Sequence, residues 1–161
     1  MVHTVEHVDD RLLDGLLEAM LPSIDWDEDG RASSWLFQSP SQGGGAWEDF
    51  PPRLKRWAPT LLTLAGGGWE IIVYQAYRTG TAVVDWHSDE SLCREQAMLT
   101  LGATRTFGLR NKITGDVVPF PVGHGDLVIM PAGFDLEWEH AVLVDRAVID
   151  PRITLVLRKR L

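Results

Sequence analysis

The sequence predicts a mainly β domain of the sandwich or barrel kind, with two helices packed on its outside. Three observations predict it. From Trp69 onward, short strand-like apolar segments follow one another at close spacing. Glycines at 80, 102, 115, 125 and 133 punctuate them, and many short strands at this rhythm mark that class. Residues 1–68 instead carry a helical apolar stripe, a polar glycine-rich stretch and a proline-led apolar segment. With 161 residues, 45% of them hydrophobic, the chain fits one domain that buries a sizeable core. About 1–68 would be its helical and flap part, and about 69–161 its β core.

The elements follow in order. Residues 9–20 read as a helix, because Leu13, Leu16, Leu17 and Met20 share a stripe and two acids suit its start. Pro22 closes it. Residues 25–45 read as irregular or hairpin structure and a candidate closing flap, with Trp26, Trp35 and Phe37 scattered among polar residues. A second helix is expected from Pro51 and Pro52, perturbed at Pro59 and ended by Gly66, Gly67 and Gly68. Strands are expected at 69–77, 81–86, 97–101, 105–110, 117–120, 126–130, 136–144 and 152–159.

Composition bounds the setting. The formal net charge of −8 counts modestly against tight nucleic-acid binding. The clusters Arg53, Lys55, Arg56 and Arg158, Lys159, Arg160 read first as solvated surface charge. No apolar run approaches bilayer length, and the N-terminus lacks the pattern of a secretory signal. Cys93 is the sole cysteine, so no intrachain disulfide forms. A cytoplasmic monomer without a membrane partner is expected.

The chemistry centres on His87, Ser88 and Asp89. Alternation along a strand turns His87 and Asp89 to one side, and His140 shares a face with Trp138 farther on. Two imidazoles and a carboxylate suit Fe(II) and leave positions open for a cosubstrate and oxygen. On its own, the pair His87 and Asp89 is weak evidence. The last strand strengthens it. Arg152, Thr154, Val156 and Arg158 fall on one face, with Ile153, Leu155 and Leu157 on the other. Arginines on a packed face call for anionic partners, and a dicarboxylate such as 2-oxoglutarate supplies them. The plain alternative is an edge strand with its arginines in water. Gln75 and Tyr77 share a face and can hydrogen-bond the same carboxylates. His124 reads as structural or exposed, His3 and His7 as part of a frayed terminus, and Cys93 as no nucleophile.

Taken in order, several segments resemble the AlkB family of Fe(II)/2-oxoglutarate dioxygenases. They are Gln75-Ala76-Tyr77, His87-Ser88-Asp89-Glu90, Leu101-Gly102-Ala103-Thr104-Arg105-Thr106-Phe107, His124-Gly125-Asp126-Leu127, Trp138-Glu139-His140 and Arg152-Ile153-Thr154-Leu155-Val156-Leu157-Arg158. The resemblance implies a double-stranded β-helix, or jelly roll. It implies that His87, Asp89 and His140 bind Fe(II), and that Arg152 holds the distal carboxylate of 2-oxoglutarate with help from Tyr77. Arg158 and Gln75 would lie nearer the metal end. It further implies use of O2 and oxidative demethylation of alkylated, single-stranded nucleic acid, as in DNA repair. Succinate, carbon dioxide and formaldehyde would be released. Glu90, Trp86 and Trp35 are the candidate substrate contacts, with Trp47 a further stacking candidate. Two other readings stay open: the same chemistry on a small molecule or protein side chain, and a cupin-like binding module without turnover.

Overall fold

The structure, a computed structural model, describes residues 3–39, 50–89 and 94–160. Among the described residues ten strands form two facing antiparallel sheets, the two layers of a jelly roll. The strands are β1 (Thr4–His7), β2 (Arg31–Gln38), β3 (Ile71–Tyr77), β4 (Val84–His87), β5 (Glu95–Gly102), β6 (Arg105–Asn111), β7 (Val117–Val122), β8 (Asp126–Met130), β9 (Trp138–Val142) and β10 (Arg152–Lys159). The larger sheet runs β1-β8-β5-β10-β3-β2 and the smaller β4-β9-β6-β7.

Strand alternation builds both layers of core. Ile153, Leu155 and Leu157 of β10, Ala97, Leu99 and Leu101 of β5, and Ile72 and Ala76 of β3 face outward, where Leu13, Leu16, Met20, Leu54 and Leu61 cover them. The opposite parity, with Val73, Met98, Phe107, Leu109, Val128 and Val156, fills the space between the sheets. Each fully buried leucine or isoleucine contributes about 1.5–3 kcal/mol. The helical residues thus back the large sheet, as expected, and β10 is a central strand rather than an edge.

Four expected elements differ. Gly15 adopts φ 74, a left-handed conformation that breaks the stripe at 9–20 into α1 (Asp10–Leu13) and α2 (Leu16–Met20). Asp9 caps α1 by accepting from the Arg11 amide at 2.9 Å. The N-terminus is not frayed over its described part: β1 pairs with β8, and His7 Nδ1 lies 3.1 Å from Asp126. Within 25–45 residues 25–30 are irregular as expected, but Arg31–Gln38 form β2, which pairs along β3 with a bulge between Trp35 and Phe37. The Asp27 carboxylate starts it by accepting from the Asp29 and Arg31 amides at 3.0 and 2.7 Å. Residues 40–45 of the candidate flap lie outside the described residues. Residues 136–144 divide into the end of α4 (Phe134–Glu137) and β9, with Gly133 at φ 84 before α4.

The 51–68 segment begins as a 3₁₀ turn at Pro52–Trp57 and becomes α3 (Ala58–Thr63) with Pro59 in its first turn. At the far edge of the small sheet, β7 carries Pro119 and Pro121 opposite Gly108 and Thr106.

Candidate functional site

His87 closes β4 directly opposite His140 on β9, and their ring centroids are 4.2 Å apart. Asp89 follows two residues later, with Oδ2 3.9 Å from His140 Nε2. One donor atom from each of the three residues lies within 4.8 Å of the others. His87 Nδ1 lies 2.8 Å from the Asp85 carbonyl oxygen. A carbonyl only accepts, so Nδ1 carries the proton and Nε2 keeps its lone pair for a metal. His140 is buried between Phe107 and Phe134. Burial, then the neighbouring His87, lowers its pKa to about 3. It is therefore neutral at pH 7, the state that ligates metal. Two neutral imidazoles and one carboxylate fit Fe(II).

Arg158 Nη2 donates to Asp89 Oδ2 at 3.1 Å and so orients the carboxylate. A small cavity joins this cluster to Gln75, Tyr77, Thr154 and Arg158, with Met98, Phe107 and Val156 among its apolar walls. Tyr77 donates to Gln75 Oε1 at 3.1 Å, and burial pushes its phenol pKa up.

Arg152 lies deeper. It is not part of the cavity wall and adjoins it through Tyr77, whose ring centroid is 5.7 Å from its guanidinium carbon. Arg152 is 2% exposed, and among the described residues its side chain makes one hydrogen bond, from Nη2 to Thr100 Oγ1 at 3.1 Å. Its Nε and Nη1, and Thr154 Oγ1, have no partner among the described residues. Burial lowers the Arg152 pKa to about 10, so it stays charged at neutral pH. Arg31, Tyr77 and Arg152 stand in one row across β2, β3 and β10. Arg31 places its guanidinium carbon 5.4 Å from the same ring and donates to the Val83 carbonyl at 3.0 Å. From the facing sheet Arg105, buried, donates to the Thr79, Ala82 and Leu143 carbonyls.

The three metal candidates and Gln75, Tyr77 and Arg158 therefore meet in one cavity. Trp35 is 56% exposed, opposite Val73 on the face that Gln75 and Tyr77 share. The structure does not bring Trp86 there. Its ring packs on Gly108 under the Arg110 guanidinium, and Arg110 pairs with Glu139. Gly108 alternates with the core residues Phe107 and Leu109, so Trp86 occupies the outer face. Glu90, Trp47 and Cys93 lie outside the described residues. His124 is structural: its Nδ1 accepts from the Gly102 amide at 3.1 Å.

Sequence reasoning missed Arg31, Arg105, Gln96 and Asp135, and it placed Thr154 on the face of Arg152 without a role. Gln96 and Thr154 sit at inward parity beside Met98 and Val156, a signal already readable in the alternation. Asp135 gave no such signal, because it falls between the strands expected at 126–130 and 136–144. It is 7% exposed and accepts from Gln96 Nε2 at 3.4 Å. Burial pushes its pKa up, while the Asp89 main-chain amide favours its charged form.

No family model matches the chain. It is similar to human alpha-ketoglutarate-dependent dioxygenase alkB homolog 3, 30% identical over 181 residues that cover 94% of this chain and 63% of that protein. The bovine protein of the same name is 34% identical over 122 residues, 63% of this chain and 43% of its own length. Mouse DNA oxidative demethylase ALKBH2 is 27% identical over 122 residues, 67% and 50% respectively. The chain thus spans between 43% and 63% of the length of these relatives. Among solved structures it is similar to OsALKBH1, with a TM-score of 0.58, 12% identity and 98% of each chain covered. It is also similar to a prolyl hydroxylase of Trichoplax adhaerens solved with a hypoxia inducible factor peptide. There the TM-score is 0.62 at 12% identity, covering 99% of this chain and 83% of that one. At such identity these two likenesses show the fold.

Proposed function

The chain is AlkB-like, similar in sequence to the AlkB homologues and in fold to OsALKBH1, and on that premise we propose that it is an Fe(II)- and 2-oxoglutarate-dependent dioxygenase acting on N-alkylated nucleic-acid bases. The observation that carries the reading is the pairing of two features in one place. A cluster of two imidazoles and a carboxylate opens into a cavity, and Arg152, buried with two donors unpaired, lies beside that cavity's Tyr77. A metal alone needs no such cation; a dicarboxylate does.

His87, Asp89 and His140 would hold Fe(II). With 2-oxoglutarate and O2 this centre supplies an oxidation that removes an N-methyl group as formaldehyde, releasing succinate and carbon dioxide. The chain's own residues do the rest. Arg152, Tyr77 and Thr154 bind the distal carboxylate, and Arg158 and Gln75 serve the end nearer the metal. Phe107, Met98 and Val156 keep water from the inner wall. Trp35 offers an aromatic face at which an extruded base stacks. The nucleic-acid substrate is supported by the naming of ALKBH2 relatives as DNA oxidative demethylases. The lone cysteine fits a reducing cytoplasmic setting, and none of the described helices is long and apolar enough to cross a membrane.

The net charge of −8 favours a second reading, the same chemistry on a small molecule or protein side chain. One assay decides. Succinate formation is measured with Fe(II) and 2-oxoglutarate, adding methylated single-stranded DNA, methylated RNA or nothing. Stimulation by a methylated strand, lost in His87→Ala and Asp89→Ala, is expected. Turnover indifferent to both strands transfers the case to the second reading. Metal binding without any turnover leaves a cupin-like binding module.

A further inference from the structure

We propose that Arg31 is a positioning residue for the cosubstrate: its guanidinium, laid over the Tyr77 ring and tied to the Val83 carbonyl, holds the Tyr77 hydroxyl where 2-oxoglutarate meets it. The inference rests on the dioxygenase reading above, and it needs no contact between Arg31 and the ligand.

Three observations converge. First, the register places Arg31 on the ring. Arg31 opens β2 directly opposite Tyr77, and Tyr77 stands opposite Arg152 on its other side. Cross-strand neighbours on one face lie close enough for their side chains to meet. The guanidinium carbons of Arg31 and Arg152 lie 5.4 and 5.7 Å from the ring centroid, within the range of a cation held by an aromatic face. The two cations differ in freedom. Arg152 keeps Nε and Nη1 unpaired among the described residues, whereas Arg31 is anchored, its Nη1 donating to the Val83 carbonyl at 3.0 Å. Arg31 is thus the fixed one of the two.

Second, Arg31 holds this place although simpler partners lie close. Glu28, Asp29 and Asp85 line the open pocket beside it, yet among the described residues it makes no ion pair. Its Nε is buried without a hydrogen bond. An arginine serving only as surface charge would turn outward to those carboxylates; this one lies inward along the ring.

Third, its anchor is the segment that joins the cosubstrate pocket to the metal cluster. β3 ends at Tyr77, β4 runs from Val84 to His87, and residues 78–83 carry the chain from the large sheet to the small one. Arg105 donates to the Thr79 and Ala82 carbonyls of this link, and Arg31 takes the next carbonyl, that of Val83. One arginine from each sheet therefore grips the link. The Tyr77 oxygen keeps its place, and only its O–H has to turn from Gln75 toward an arriving carboxylate.

The test is 2-oxoglutarate binding to the full chain with Mn(II) present, read as Kd by calorimetry, beside the Mn(II) Kd and the melting temperature. Arg31→Met keeps the stem and removes the charge. It is expected to weaken 2-oxoglutarate about 3–30-fold, the range that a cation over an aromatic face supports. The Mn(II) Kd is expected to stay within about twofold of the parent, since the metal ligands lie on other strands. Arg31→Lys, which returns a cation, is expected to recover most of the loss. In the Tyr77→Phe background Arg31→Met is expected to add less than about twofold, because the hydroxyl it positions is gone. The proposal is overturned by a parental 2-oxoglutarate Kd in Arg31→Met, by a lysine variant no better than the methionine one, by an equal loss of Mn(II) affinity, or by a full further loss in Tyr77→Phe. Arg31→Gln replaces the methionine variant if that one does not fold; failure of both to fold makes Arg31 a purely structural residue and overturns the proposal too. A parent chain that binds no 2-oxoglutarate would instead overturn the dioxygenase reading, which keeps the two failures apart.

Discussion

Replacing Arg152 with methionine should make the protein more stable and its 2-oxoglutarate binding far worse. The pKa of Arg152 is lowered to about 10, with burial the largest cause. Each pKa unit is 1.36 kcal/mol, so folding penalises the charged form by about 3 kcal/mol. The sign follows from linkage. A base whose folded pKa is depressed holds its charge in both states at pH 7, and the penalty is fully present at any pH below about 10. Methionine removes the charge and keeps most of the stem volume. The single bond to Thr100 is lost, at about 1 kcal/mol. The net gain is about 2 kcal/mol, a rise in melting temperature of about 4–8 °C for a chain of this size. The distal carboxylate meanwhile loses two charge-assisted bonds of about 1.5–3 kcal/mol each, which raises the 2-oxoglutarate KM over a hundredfold. Thermal melts of the metal-free protein and succinate assays at graded 2-oxoglutarate check both halves. A melting temperature that falls by several degrees refutes the reasoning, because it would mean that the unpaired donors are satisfied within the protein itself.

Arg105 gives the opposite sign. Arg105→Met strips donors from the Thr79, Ala82 and Leu143 carbonyls and should cost about 3 kcal/mol. That is a fall of about 6–12 °C, and an unchanged melt contradicts it. Trp35→Ala should raise KM for a methylated strand about tenfold, since stacking is worth about 1–3 kcal/mol per base, while the 2-oxoglutarate KM stays put. An unchanged strand KM removes Trp35 from the substrate path. His7 has a raised pKa, from its hydrogen bond to Asp126 first, then from Asp10. Its stabilising contribution is full below about pH 6.5 and is lost as pH rises through the higher folded value. Hydrogen exchange in β1, corrected for intrinsic rates, should therefore quicken from pH 6 to pH 8, and His7→Gln should abolish the difference.

What was legible in the sequence was whatever a strict period of two could carry. β10 announced both its faces because each is buried, one against helices and one against the cavity. His87 and Asp89 were readable for the same reason, though β4 ends at His87 and the agreement of their directions comes from the turn rather than the strand. β2 stayed hidden because Ser33, Ser34 and Trp35 are exposed and a bulge interrupts its alternation. Gly15 gave no warning of a break, since a single glycine is tolerated in many helices and only its left-handed conformation reveals the kink. Arg105 looked like one more strand residue. Its role depends on three carbonyls from distant segments, and no local pattern encodes that.

The two prolines of β7 bear on how this molecule behaves in a crowd. β7 closes one side of the small sheet, and Pro119 and Pro121 have no N–H to offer. They alternate with residues that share β6's inward parity, so the missing donors fall at one repeat along the strand. A stray extended peptide arriving at that margin would find two rungs of its ladder without a donor, and could not zip onto it. Sheets that leave a pocket accessible must be open somewhere, and openness invites aggregation. Here the molecule blunts the margin of the sheet that carries His140, so that what enters the roll is decided by the pocket and not by adhesive backbone.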